Sequence, residues 1–104
     1  MIEHYTYRVT WSEEDQMFIG LCAEMPSLSW LADSQESALK GISKVVKDAV
    51  ADMQAEGEVV PEAIADRKFS GEFKLRVPPA KHRELVLHAA EQGVSLNRYV
   101  NALL

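Results

Sequence analysis

Residues 69–77 read Phe-Ser-Gly-Glu-Phe-Lys-Leu-Arg-Val, and Pro78-Pro79 stop the run. Phe73, Leu75 and Val77 alternate with Glu72, Lys74 and Arg76, the period-two pattern of a strand with one apolar and one charged face. Two short amphipathic segments follow. Pro79 falls in the first turn of a helix, where its missing N–H costs nothing. Leu85, Val86, Ala89 and Ala90 make an apolar stripe, and Gly93 is placed for a left-handed C-cap. Ser95 then caps a second helix whose apolar face is Leu96, Tyr99, Val100, Leu103 and Leu104. A segment of about 35 residues cannot bury enough surface to fold alone. A lone strand also leaves its own N–H and C=O groups without partners. Pairing two copies strand to strand removes both deficits, so a homodimer or tetramer is expected.

The front of the chain follows a different pattern. His4 to Trp11 is rich in β-branched and aromatic residues and is expected to be a strand. Ser12-Glu-Glu-Asp-Gln16 is a polar turn, and Met17 to Cys22 reads as a second strand completing a hairpin. Pro26 breaks the pattern, and Leu28 to Ala32 reads as a third strand. Asp33 or Ser34 can cap the next helix, with Glu36 three residues after Asp33 as in a capping box. Leu39, Ile42, Val46, Ala49 and Met53, widened by Ala38, Val45 and Val50, predict about six turns of helix lying on a sheet. Gly41 inside it costs about 1 kcal/mol against alanine and marks a close approach to that sheet. Gly57 ends the helix. Val59-Val60 is expected to add a short fourth strand, and the residues after it to form a tether. The expected organisation is thus α+β, with an N-terminal β-β-β-α-β domain over 1–66 and a strand-helix-helix module over 67–104.

The formal charge of −5 argues against a protein that coats nucleic acid over its whole surface. Residues 1–68 hold 13 Asp or Glu against 6 Lys or Arg, and residues 69–104 hold 3 against 5. An acidic front and a mildly basic tail suit two different partners. Cys22, the only cysteine, allows neither an internal disulfide nor a cysteine-based zinc site and reads as a small buried side chain. No apolar run approaches the roughly 20 residues that cross a bilayer. The N-terminus lacks the basic and apolar regions of a secretory signal. A cytoplasmic location without membrane contact is expected.

With Phe73, Leu75 and Val77 facing a dimer core, Glu72, Lys74 and Arg76 must face outward. A two-stranded ribbon fits the major groove of DNA. Arg76 and Lys74 can donate to guanine O6 and N7, and Glu72 can accept from cytosine N4. Ser95, Leu96 and Asn97 offer free N–H groups and a positive helix end to a phosphate, which would set the register of the ribbon. The competing account of the same residues is an ordinary surface strand of mixed charge. The Pro-Pro stop, the Gly-x-Ser turn and the module's inability to fold alone favour the DNA reading.

Gly71-Glu-Phe-Lys-Leu-Arg-Val-Pro-Pro79 and Glu91-Gln-Gly-Val-Ser-Leu-Asn97 resemble the ribbon-helix-helix repressors, the group that includes Arc and MetJ. Preceded by residues 17–57, the module resembles HicB antitoxins. Asp33-Ser-Gln-Glu-Ser-Ala-Leu39 is similar to that family's Thr-x-x-Glu-Ala-Leu-like helix start, with Ser34 where threonine is usual. Glu24-Met-Pro-Ser-Leu28 stands where the family commonly has Asp-Leu-Pro-Gly; Ser27 replaces the glycine and the acidic residue is displaced. The resemblance implies a reduced RNase H-like N-terminal domain and a DNA-binding tail. It further implies an antitoxin that binds and blocks a small HicA-type mRNA-cleaving toxin and represses its own operon at operator DNA.

An RNase H-like fold raises the question of nuclease chemistry, which needs carboxylates converging on Mg²⁺ from strand centres and a helix. The first strand, Tyr5 to Trp11, carries none. Glu13, Glu14 and Asp15 cluster in a turn, and Asp33 serves better as a cap. His82 and His88 are six apart on one helix, not the i,i+4 spacing that brings two ligands together, and His4 stands alone. The chain is expected to be no enzyme and to hold no cofactor and no metal. Its acidic front complements a basic RNA-binding toxin, and exposure of Trp11, Met17 or Trp30 would favour a protein interface there. The alternative is a stand-alone interaction and oligomerisation domain without toxin partner or DNA binding.

Overall fold

The computed structural model describes residues 1–104 and divides them into two compact units, Met1–Phe69 and Ser70–Leu104. In the first unit, strands β1 (Tyr7–Ser12), β2 (Met17–Cys22) and β3 (Ser29–Ala32) form an antiparallel sheet in the order β1-β2-β3. Tyr7 pairs with Cys22, Trp11 with Phe18, and Gly20 with both Val9 and Trp30. Helix α1 (Gln35–Ala55) covers one face.

Gly20 sets how closely the helix can lie. A Cβ built there would stand 2.6 Å from the Ala38 carbonyl oxygen and within 3 Å of Ile42. Only a hydrogen side chain lets the backbone of α1 settle on the central strand. From the helix side, Gly41 leaves the room that the Trp30 ring fills. The close approach expected at Gly41 is therefore present, and its cause is an aromatic ring on β3. Ala38, Ile42, Val46 and Val50 are the buried residues of α1, a spacing of four throughout. Leu39, expected on the buried stripe, is 46% exposed. The glycine-to-backbone contact centres the buried face one position earlier, on Ala38.

Ser34 caps α1, its hydroxyl accepting from the Ser37 N–H at 3.1 Å. Asp33 is outside the helix, so the expected capping box with Glu36 is not the device used. At the other end, Glu58 N donates to Met53 O at 2.8 Å and Gly57 N to Gln54 O at 3.2 Å, with Gly57 at φ +72°. This is a Schellman stop.

Three further expectations for this unit are corrected. His4 lies in a 3-10 turn (Ile2–His4), and the first strand begins only at Tyr7. Val59-Val60 is not a fourth strand, since residues 58–63 are irregular and Val59 is fully open to solvent. Pro61 follows at once and has no N–H to give a ladder, which leaves two residues too few to pair. The stretch after it is also no free tether. Ala63 is buried with Tyr5, Cys22, Ile42, Val46 and Val50, and Val60 packs against the same core.

The second unit holds α2 (Pro79–Glu91) and α3 (Leu96–Leu103), which pack on each other. Pro79 is the first helical residue, as its ring favours. Val94 N donates to Ala89 O at 3.1 Å across Gly93, a second Schellman stop. Only Ala89 is buried in this unit. Leu85, Leu96, Tyr99 and Val100 are half-buried, and Val86, Leu87, Leu103 and Leu104 are exposed.

Candidate nucleic-acid interface

The expected strand over 69–77 makes no ladder within one chain. Ser70 to Pro78 runs irregularly before α2, and the main-chain groups of Phe73 to Val77 take part in no hydrogen bond. No other strand lies beside it, and a strand is defined by the chain it pairs with. The Ser70 hydroxyl accepts from the Glu72 N–H at 3.1 Å, and Gly71 sits at φ +85°, so a small turn opens the segment. Phe73 is 77% exposed and Leu75 67% exposed. Glu72, Lys74 and Arg76 are exposed as well and enter no ion pair. The acceptor and the two donors expected to read bases are thus uncommitted within the chain.

At the start of α3 the Ser95 hydroxyl accepts from Arg98 N at 3.1 Å, and Ser95 O accepts from Tyr99 N at 2.9 Å. The N–H groups of Leu96 and Asn97, in the first turn, have no partner in the helix. Ser95 therefore contributes its cap, while the free donors come from the main chain of its two successors. Tyr99 and His88 tie α3 to α2 through an oxygen-to-Nδ1 contact of 3.4 Å and an edge-to-face ring arrangement.

In the first unit the residue that organises the irregular stretch is Glu24. Its carboxylate accepts from Thr6 N at 2.8 Å, Thr6 Oγ1 at 3.2 Å and Ile64 N at 3.0 Å. Burial works to raise its pKa, but the N–H donors of Ile64 and Thr6 outweigh that and hold it below the usual carboxylate value. Tyr5 donates its hydroxyl to Pro61 O, and His4 Nδ1 meets Asp66 at 2.9 Å. Three side chains from the beginning of the chain and the end of β2 thereby fasten residues 61–66 as a strap, closed by a 3-10 turn (Ile64–Asp66). In the sequence His4 stands alone and Glu24 reads as a displaced motif residue. No local pattern links residues some 60 positions apart.

Of the three residues whose exposure would mark a protein interface, Trp11 and Trp30 are exposed and Met17 is half-buried. Trp11 stands edge-on to Phe18 and donates its Nε1–H to Glu13. Cys22 is buried, and burial pushes its thiol pKa up, away from the reactive thiolate. No helix is long and apolar enough to cross a membrane.

An uncommitted alternating segment, a proline-started helix and a serine-capped helix make up most of the stretch that comparison with known families picks out. The HicB family model matches residues 55–104, so this part of the chain is similar to the HicB family. Comparison with curated proteins and with solved structures gives no match.

Proposed function

We propose that the chain is a HicB-like antitoxin that neutralises a HicA-type mRNA-cleaving toxin by binding it and represses its own operon through a ribbon-helix-helix module. The observation that carries the reading is the segment 72–77, apolar on one side and charged on the other, whose main chain is unpaired from Phe73 on and whose side chains are free. Two copies joined antiparallel along this segment would bury Phe73, Leu75 and Val77. Glu72, Lys74 and Arg76 of both would then project as one ribbon into the major groove of operator DNA. The first turn of α3 at Ser95, Leu96 and Asn97 would hold a flanking phosphate. The N-terminal unit, with its net negative charge and exposed Trp11 and Trp30, supplies the surface for a basic toxin. On this reading the protein acts by binding alone, in the cytoplasm, and needs no cofactor.

Co-expression with the adjacent gene tests the proposal. The expected result is a co-purifying small basic protein whose toxicity the chain suppresses, and retardation of the upstream DNA by the purified chain. Neither co-purification nor retardation at low salt would leave the stand-alone oligomerisation domain as the better account.

A further inference from the structure

Positive charge is concentrated in one stretch of this chain. From Arg67 to Arg83 there are six Lys or Arg and one carboxylate, Glu72, whereas residues 1–66 hold 13 Asp or Glu against four Lys or Arg. Lys81 is paired with Glu84 at 3.5 Å, and the other five cations are exposed and enter no ion pair. Lys74 and Arg76 are accounted for by the alternating segment. Arg67 and Lys68 are not, for they precede it at the end of the strap.

The main chain at Arg67 is ordered without any ligand. Arg67 N donates to Ile64 O at 3.1 Å, closing the 3-10 turn that Glu24 holds through Ile64 N and that His4 holds through Asp66. Asp66, the nearest carboxylate in sequence, is thus occupied by His4 rather than by Arg67. The Arg67 guanidinium lies over the Phe69 ring, 5.1 Å from its centroid. No ion pair engages its N–H donors, which are left for an oxyanion. Pre-ordering lowers what binding must spend on immobilising the site.

We infer that Arg67 and Lys68 form a phosphate-binding element for duplex DNA that adds affinity without sequence preference. This rests on the operator-binding reading above. The carboxylate beside them, Asp66, is engaged by His4, so the pair offers charge rather than a donor–acceptor pattern. The duplex is B-form DNA because the segment that follows is a candidate ribbon, and the deep, narrow major groove of A-form RNA does not admit protein side chains.

Full-length protein and R67A/K68A are compared by fluorescence anisotropy against two duplexes, the chain's own upstream sequence and a mixed sequence, over a salt series. Four phosphate contacts in a pair of copies correspond to about 3.6 in the slope of log K against log salt. Wild type should therefore lose roughly a hundredfold more affinity than the variant between about 50 and 200 mM salt. The ratio of the two duplexes should be unchanged, and R67K/K68R should keep the wild-type slope. If circular dichroism shows R67A/K68A to be unfolded, R67Q/K68Q is read in its place. A wild-type slope in the alanine variant overturns the inference and leaves the operator reading standing, and so does a collapse of the ratio. Failure of wild type to bind either duplex at low salt overturns both.

Discussion

Lys74 and Arg76 carry the recognition chemistry in the operator reading, and each is free of intramolecular partners. Lys74→Ala and Arg76→Ala should each lose about 1–3 kcal/mol of discrimination between the operator and a mismatched duplex. Arg76→Lys should not restore it, because an ammonium cannot reproduce a bidentate fork on guanine. Gel retardation with matched and mismatched duplexes decides the point, and unchanged ratios in both alanine variants would exclude this reading face. The two glycines of the helix-on-sheet contact differ in what can yield. At Gly20 a methyl group meets the Ala38 carbonyl, so α1 as a whole must shift. Gly20→Ala should cost about 1–3 kcal/mol. At Gly41 the obstacle is the ring of the partly exposed Trp30, which can swing aside, and alanine recovers about 1 kcal/mol of helix propensity. Urea melts should therefore rank both wild type and Gly41→Ala above Gly20→Ala.

Among the elements, the strap over 61–66 depends on side chains more than on regular structure. Glu24 is the charged member of that set, and its pKa is lower folded than unfolded. The stability it contributes is then fully present above the ordinary carboxylate value of 4.5 and is lost as pH falls through the lowered folded value. Glu24→Gln should be less stable than wild type by about 1–2 kcal/mol near pH 7, the order expected for hydrogen bonds to a charged acceptor. The two proteins should converge in strongly acidic buffer, and thermal melts at both ends of the pH range would check this. A gap that persists in acid would mean that the carboxylate charge is not what holds Ile64 and Thr6. The strap also explains why Val60 gains nothing from a ladder: Ala63 is buried in the core cluster and Val60 packs against it.

At the scale of the molecule, the unit Ser70–Leu104 has one buried side chain, Ala89, and leaves Phe73, Leu75, Leu87 and Leu103 in water. Such a unit is short of core for its length. The remedy within reach is a second copy, which would pair the main chain of residues 73–77 and cover the same apolar row. Sedimentation equilibrium should show a dimer or tetramer for wild type. Leu75→Lys should shift it toward monomer and abolish DNA retardation together, because one charge would then lie inside the shared core. A variant that remains dimeric and still retards DNA would show that the ribbon pairs elsewhere.

Periodicity and turn chemistry are local properties, and they were readable directly from the residues. The hairpin ending at Cys22, the long helix stopped at Gly57, Pro79 in its first turn and Ser95 at its cap all depend on neighbours within a few positions. The charged row Glu72, Lys74 and Arg76 is an expectation of the same local kind, and within one chain the segment forms no strand. What the tertiary structure decided lies in contacts between distant positions. The buried stripe of α1 is centred on Ala38 instead of Leu39 because a glycine on β2 admits its backbone there. Residues 61–66 are a fastened strap rather than a tether because Tyr5, Glu24 and His4 reach them from far along the chain. Hydrophobic spacing says that a face will be covered, and only the packed chain determines which atoms cover it.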